Sequence, residues 1–158
     1  MSGDNSHTLV AVTGASGFIG LHCVLALLRG GYRVRGTLRD PARQASLRQA
    51  LESHVEIGDR LEFHGAELTR DEGWAEAFTD CSYVLHVASP FPRRLPRHED
   101  ELIVPARDGT LRVLAAAAEA GVRRVVLTSS MAAIVNGHGH DDSYIYSEKD
   151  WTQINDSL

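Results

Sequence analysis

Between Val10 and Gly20 the chain reads Val-Ala-Val-Thr-Gly-Ala-Ser-Gly-Phe-Ile-Gly, an apolar run broken by three glycines and then resumed with helical spacing. No other stretch restricts the fold as strongly. A backbone that leaves a strand and enters a helix over so few residues must turn sharply, let a ligand approach its peptide groups, and seat the helix close on the strand. A β-carbon obstructs each of these. A strand is expected over residues 8–13, and Leu21, Val24, Leu25 and Leu28 then recur at i, i+3, i+4 and i+7, the stripe of a helix lying on a sheet. Gly30-Gly31 closes that helix. Its first turn would offer unpaired N–H groups and a positive dipole end, which suit a pyrophosphate. The spacing is G-x-x-G-x-x-G rather than the G-x-G-x-x-G of ordinary dehydrogenases, so a dinucleotide-binding reading rests on the flanking strand and helix. A glycine-rich turn with no ligand is the plain alternative.

The remaining pattern alternates strands with helices. Tyr32 to Arg39 alternates as a strand and Asp40-Pro41 ends it; residues 42–53 have helix composition with Leu47 and Leu51 four apart. Arg60 to His64 reads as a short third strand. Thr69-Arg70-Asp71-Glu72 forms a capping box with Thr69 as N-cap, ahead of Trp74, Ala77 and Phe78 on one helix face. Ser82 to Val87 is a fourth strand. From Glu99 to Ala120 the spacing predicts a long helix burying Leu111, Leu114, Ala115 and Ala118, with Pro105 as a kink or late start and Gly121 as cap. Arg124 to Thr128 is a fifth strand, apolar on both faces as a central parallel strand is. Strands alternating with helices imply a parallel sheet with right-handed crossovers. The expected fold is therefore α/β, a Rossmann-type doubly wound parallel sheet that stops after its fifth strand. Residues 1–135 would form the NAD(P)-binding domain. Residues 136–158, rich in Asn, Gly, His, Asp and Ser, would be a loop or tail leading to elements outside this chain.

Composition narrows the partners. A formal net charge of −5 argues against nucleic acid. No segment is long and apolar enough to cross a membrane, and the start of the chain lacks the basic and apolar regions of a secretory signal, so a cytoplasmic location is expected. Cys23 and Cys81 are read as free structural thiols. Lys149 is the only lysine; every other basic residue is arginine.

The end of the second strand selects between coenzymes, because a carboxylate there binds the adenosine ribose hydroxyls and repels a 2′-phosphate. Eighteen residues past Gly20 stands Leu38 (38 − 20 = 18), which is apolar, and Arg39 follows it. A guanidinium forks two charge-assisted hydrogen bonds onto phosphate, so NADP(H) is expected in preference to NAD(H). Asp40, just before proline, is assigned to the turn, and Arg35 and Arg43 would add positive potential. His138-Gly139-His140-Asp141-Asp142 has metal-binding composition, but a glycine-rich loop does not fix ligand geometry, so no metal is expected. Arg93 to His98 is a basic stretch read as a solvated loop, and His86 as a packed histidine.

Four segments, Val12–Gly20, Val34–Pro41, Val84–Phe91 and Val125–Ala133, together resemble the extended short-chain dehydrogenase/reductases, and within them the dihydroflavonol 4-reductase and cinnamoyl-CoA reductase group of the NAD-dependent epimerase/dehydratase superfamily. The resemblance runs from about Thr8 to Trp151. It implies that Gly14, Ser16, Gly17, Phe18, Ile19 and Gly20 form the pyrophosphate turn and that Arg39 meets the 2′-phosphate. It sets Val87, Ala88 and Ser89 beside the nicotinamide-side ribose, and Glu67-Leu68 where the family has Asp-Leu next to adenine. Ser130 matches the serine that holds the substrate oxygen.

The family's proton donor is the tyrosine of a Tyr-x-x-x-Lys pair, and this chain has none. Four residues after Tyr32, Tyr83, Tyr144 and Tyr146 stand Gly36, Val87, Glu148 and Asp150. The expected function is the cofactor-binding portion of an NADP-dependent reductase of a small-molecule carbonyl substrate, inactive by itself and compatible with a homodimer. A non-catalytic NADP(H)-binding or sensing module is the alternative.

Overall fold

β1 (Leu9–Thr13) is buried along its whole length, which only a strand covered on both faces and paired on both edges can be. A computed structural model of the chain describes residues 4–91, 94, 96–138 and 143–152. These divide into two units, Met1–Leu127 and Thr128–Leu158.

In the first unit five parallel strands lie in the order β3-β2-β1-β4-β5, with β2 at Arg33–Leu38, β3 at Leu61–Gly65, β4 at Tyr83–His86 and β5 at Arg124–Leu127. This is the Rossmann-type order, and the sheet carries one core on each face. Val12, Val24, Leu28, Val34, Leu47 and Leu51 meet on the side of α1 (Phe18–Arg29) and α2 (Gln44–Glu52). Leu9, Ala11, Trp74, Phe78, Val84 and Val113 meet on the side of α3 (Trp74–Phe78) and α4 (Asp100–Glu119). Successive β1 side chains serve opposite cores, as the two-residue period of a strand requires. Each fully buried Leu or Val contributes about 1.5–3 kcal/mol.

The helix stripe of α1 is met: Val24 and Leu28 are buried, Leu21 and Leu25 half-buried. Past Arg29, Gly31 takes a left-handed φ of +82° and the Tyr32 N–H returns to the Leu27 carbonyl at 3.1 Å. Asp40 does turn the chain, accepting the Ala42 N–H at 3.0 Å to start a single 3-10 turn over Pro41–Arg43.

Four sequence expectations fail, the last of them at Arg35. The capping box is not formed: Glu67 to Arg70 is a turn closed by Arg70 N–H to the Glu67 carbonyl (3.0 Å), and α3 begins only after Gly73, at φ +86°. The Trp74 indole N–H reaches back to the Arg70 and Glu67 carbonyls, so Thr69 is held in that turn and cannot cap. On α4 the buried positions are Gly109, Val113 and Ala117, whereas Leu111, Leu114, Ala115 and Ala118 are all exposed. A β-carbon on Gly109 would lie 3.0 Å from the Leu68 Cβ, so close approach selects small residues for the buried face and the larger ones face outward. The helix continues through Pro105. Among the described residues β5 is an edge strand, with Val126 and Leu127 about half exposed, not a central one.

Arg35 does not lend its charge to the end of β2, where it is expected to add positive potential. Its guanidinium pairs with Glu62 at 2.7 Å and donates to the Glu76, Ala77 and Thr79 carbonyls at the end of α3 (2.6 Å to Thr79). Cations favour helix C-termini, where carbonyls lack partners. Beside it, burial pushes the Cys81 thiol up to about 11, and both cysteines are free.

The buried polar groups of β1 and β4 meet each other. The Thr13 hydroxyl oxygen accepts the N–H groups of Val87 and Ala88, each at 3.0 Å, and lies 2.8 Å from His86 Nδ1. With both lone pairs engaged, the hydroxyl proton is left for His86, so Nδ1 accepts and the ring is neutral with its proton on Nε2. Burial lowers the His86 pKa, in the same direction.

In the second unit Ser130 is exposed; its hydroxyl accepts the Ala132 N–H at 3.2 Å at the start of α5 (Ala132–Val135). The Thr152 N–H and hydroxyl bond the Ala133 and Ala132 carbonyls at 2.9 Å. The Asp150 carboxylate gathers the Ser147 N–H and hydroxyl and the Tyr144 hydroxyl, at 2.8, 2.9 and 2.8 Å.

Arg35→Met is expected to cost about 2–3 kcal/mol in denaturant unfolding, because charged donors are removed from several carbonyls at once. Acidification gives a second test. His86 is neutral when native but takes up a proton near its ordinary value of 6.5 when unfolded. Its contribution is present above that value and is lost as the pH falls towards the lower native one. The drop in unfolding midpoint between pH 7.5 and about 5.5 should be smaller in His86→Gln, whose amide oxygen accepts the same hydroxyl.

Candidate functional site

At the carboxyl end of the sheet the chain leaves β1 through Gly14, at φ +67°, and returns through Gly17 into α1. A β-carbon on Gly14 would lie 3.0 Å from the Ala88 Cα, and one on Gly20 would collide with the Gly14 carbonyl oxygen. These close approaches hold α1 down on β1 and bring the loop after β4 up to the turn. The Ala15 N–H is used by the Thr37 carbonyl (3.1 Å), the Gly14 N–H by the Thr37 hydroxyl (3.2 Å) and the Gly17 N–H by the Gly14 carbonyl (2.9 Å). The N–H groups of Phe18, Ile19 and Gly20 open the helix and have no acceptor one turn back.

A cleft of about 480 Å³ lies against this turn. Gly14, Ser16, Gly17, Phe18, Ile19 and Gly20 form its first wall, and Val87, Ala88, Ser89 and Pro90 the rim beyond β4. Thr37 in β2 and Arg39 and Arg43 beyond it border the cleft, while Ala66, Glu67, Leu68 and Thr69 border it beyond β3, with buried Trp74 alongside. The structure thus gathers the first-unit residues assigned to the coenzyme, Arg35 excepted, along one cleft drawn from the ends of four strands. Ser130 belongs to the second unit.

Charge along the cleft is uneven. Neither Arg39 nor Arg43 has a side-chain hydrogen bond or ion pair among the described residues. Arg70 pairs with Glu67 at 3.6 Å and Arg112 with Asp71. A larger adjoining hollow of about 760 Å³ shares Arg39, Ala66, Glu67 and Thr69 but is bordered mainly by those paired charges. The smaller cleft is the better candidate, having both open backbone donors and unpaired guanidinium groups suited to phosphate. Its dimensions, its close-approach glycines and these donors fit a dinucleotide, with the pyrophosphate over the helix start.

Thr13, Thr37 and Trp74 were not singled out for the site. Thr13 had a signal, being a polar residue in an otherwise apolar strand, and buried polar groups are held by hydrogen bonds. Trp74 had none, since an aromatic at helical spacing reads as core. His86 is packed as expected, 1% exposed. Of the metal-like stretch only His138 is described; 139–142 lie outside the described residues, as do Arg93 and Leu95 of the basic loop. Among the described residues no cluster could hold a metal, and no helix is long and apolar enough to cross a membrane.

Comparison with known proteins agrees with this geometry. The chain is 40% identical over 132 residues to dihydroflavonol 4-reductase of Hordeum vulgare, covering 83% of this chain and 37% of that protein. It is 39% identical to a putative anthocyanidin reductase of Ginkgo biloba, over 94% of this chain and 43% of that one. Among solved structures, yeast methylglyoxal/isovaleraldehyde reductase Gre2 complexed with NADPH superposes with a TM-score of 0.80 at 29% identity, over 95% of this chain and 45% of the other. The chain therefore spans less than half the length of these relatives. Residues 10–152 match the NAD dependent epimerase/dehydratase family from the glycine turn through the second unit, and with the turn, sheet order and cleft already in place, the chain belongs to that family.

Proposed function

We propose that this chain is the NADP(H)-binding portion of an oxidoreductase that moves hydride between a nicotinamide and a carbonyl or alcohol carbon. The observation that carries the coenzyme choice is the unpaired Arg39, exposed at the end of β2 where a carboxylate would select NAD, with Arg43 beside it. The first-turn N–H groups of α1 would hold the pyrophosphate, and Arg39 and Arg43 would fork onto the 2′-phosphate. Asp40 is held in the turn by one carboxylate oxygen, which accepts the Ala42 N–H. Val87, Ala88 and Ser89, with two of their N–H groups anchored on Thr13, would border the nicotinamide-side ribose.

The coenzyme, when bound, supplies or accepts the hydride. For the proton this chain lacks a Tyr-x-x-x-Lys pair, and loss of a positioned acid costs about a hundred- to ten-thousandfold in rate. Ser130 would hold the substrate oxygen but has no acidity to give it. Support for reductase chemistry comes from the names of the relatives and from the NADPH complex of the yeast enzyme. The missing pair equally favours a second reading, in which the chain binds or senses NADP(H) without turnover.

In a fluorescence titration the chain should bind NADPH more tightly than NADH. Arg39→Ala should weaken NADPH by about ten- to a hundredfold and leave NADH nearly unchanged. Equal affinities in the unaltered chain would sink the coenzyme assignment. Across a panel of aldehydes and ketones the chain should bind NADPH without consuming it.

A further inference from the structure

The wall of the cleft beyond β3 is held from behind by groups that do not themselves meet a phosphate or ribose. Sheet order places β3 next to β2 and away from β1. A dinucleotide with its pyrophosphate at the glycine turn and its adenosine ribose at the end of β2 therefore brings its base to residues 66–69. There the half-buried Leu68 offers an apolar contact and Glu67 an acceptor. The Glu67 Oε2 atom lies 3.6 Å from Arg70 Nε, and Oε1 has no partner among the described residues.

This wall is a short turn, and three ties fix it. The Trp74 indole N–H donates to the Arg70 carbonyl at 3.0 Å and to the Glu67 carbonyl at 3.3 Å, bridging the two ends of the turn. The Trp74 ring is only 2% exposed and packs on Phe78 at 5.7 Å between centroids, so the donor is anchored in the core. From α4 the Arg112 guanidinium donates to the intervening Leu68 carbonyl, and Gly109 lets the helix backbone close on Leu68. A phenylalanine at position 74 would fill much of the same apolar space. The N–H, by contrast, acts on the turn alone.

We propose that Trp74, backed by Arg112, is a positioning residue for base recognition: its indole N–H holds the Glu67–Arg70 turn so that the Glu67 carboxylate accepts from the exocyclic amine of adenine. The proposal rests on the dinucleotide reading above and goes beyond it, because discrimination of the base is then set by a side chain that the core immobilises.

The test compares NADPH with nicotinamide hypoxanthine dinucleotide phosphate, which carries a carbonyl in place of that amine. The full chain should prefer NADPH by about ten- to a hundredfold, the worth of one hydrogen bond to a charged group. Trp74→Phe should reduce the preference towards one, mainly by weakening NADPH, while hydrogen exchange at the Arg70 amide becomes at least severalfold faster. Arg112→Gln, which keeps the core tryptophan, should lower the preference in the same sense and carries the test if Trp74→Phe does not fold. Equal weakening of both dinucleotides in the variants means that Trp74 only packs, and overturns the proposal. An unaltered chain that binds NADPH without preferring it also overturns the proposal but leaves the coenzyme assignment standing. Failure of the unaltered chain to bind NADPH removes both.

Discussion

The contact on which the rest of the first unit depends is the one between the backbone of α1's first turn and the backbone leaving β1. Gly20 lies so close to the Gly14 carbonyl that no side chain fits between them, and Gly14 in turn meets Ala88 across β4. This double approach sets the height of α1 over the sheet and the distance from its first N–H groups to the loop after β4. On this side of the cleft the spacing is therefore set by backbone contacts, and flexible side chains do not have to maintain it. The Thr13 hydroxyl completes the arrangement by taking the N–H groups of Val87 and Ala88 and giving its proton to His86. A buried hydroxyl with all its capacity used is rigid, and rigidity there is transmitted to the rim of the cleft.

The nearly exclusive use of arginine follows from how the chain closes its carbonyl ends. Arg35 covers the end of α3, Arg60 donates to the Leu28 carbonyl at the end of α1, Arg48 to Gly58 and Leu61, and Arg112 to Leu68. One planar fork reaches several acceptors with little further loss of freedom, which a single ammonium on a flexible stem does less well. These four guanidinium groups are therefore committed within the fold. Arg39 and Arg43, which have no side-chain partner among the described residues, border the cleft instead.

Much of this was legible from residue order. The glycine spacing and the stripe from Leu21 to Leu28 specify a strand-turn-helix corner because both periods are local, and the alternation of strands and helices leaves few topologies. Of the cleft residues, the glycines and Arg39 were legible from their spacing, while Glu67-Leu68 and Val87 to Ser89 were named from the family resemblance; they share an edge because strands in a parallel sheet end on one side. What failed did so where a group outside the local motif intervened. Thr69-Arg70-Asp71-Glu72 has the letters of a capping box, but Trp74 pulls the segment into a turn. Leu111 and Leu114 are large apolar residues of their helix, yet the approach to Leu68 reserves the buried face for Gly109, Val113 and Ala117.

The sequence by itself determined the kind of chain this is: a parallel α/β sheet with a phosphate-suited corner, an arginine in place of the acid that selects NAD, and no tyrosine-lysine pair. Local spacing and residue chemistry suffice for each of these. Only the tertiary structure decided which charges are spent and which are open, that Arg35 serves a helix end while Arg39 faces the cleft, and that a core tryptophan governs the wall opposite the glycines. Those outcomes depend on which groups arrive within hydrogen-bonding reach once the chain is packed, for Arg35 and Arg112 from elements dozens of residues away, and no local pattern carries that information.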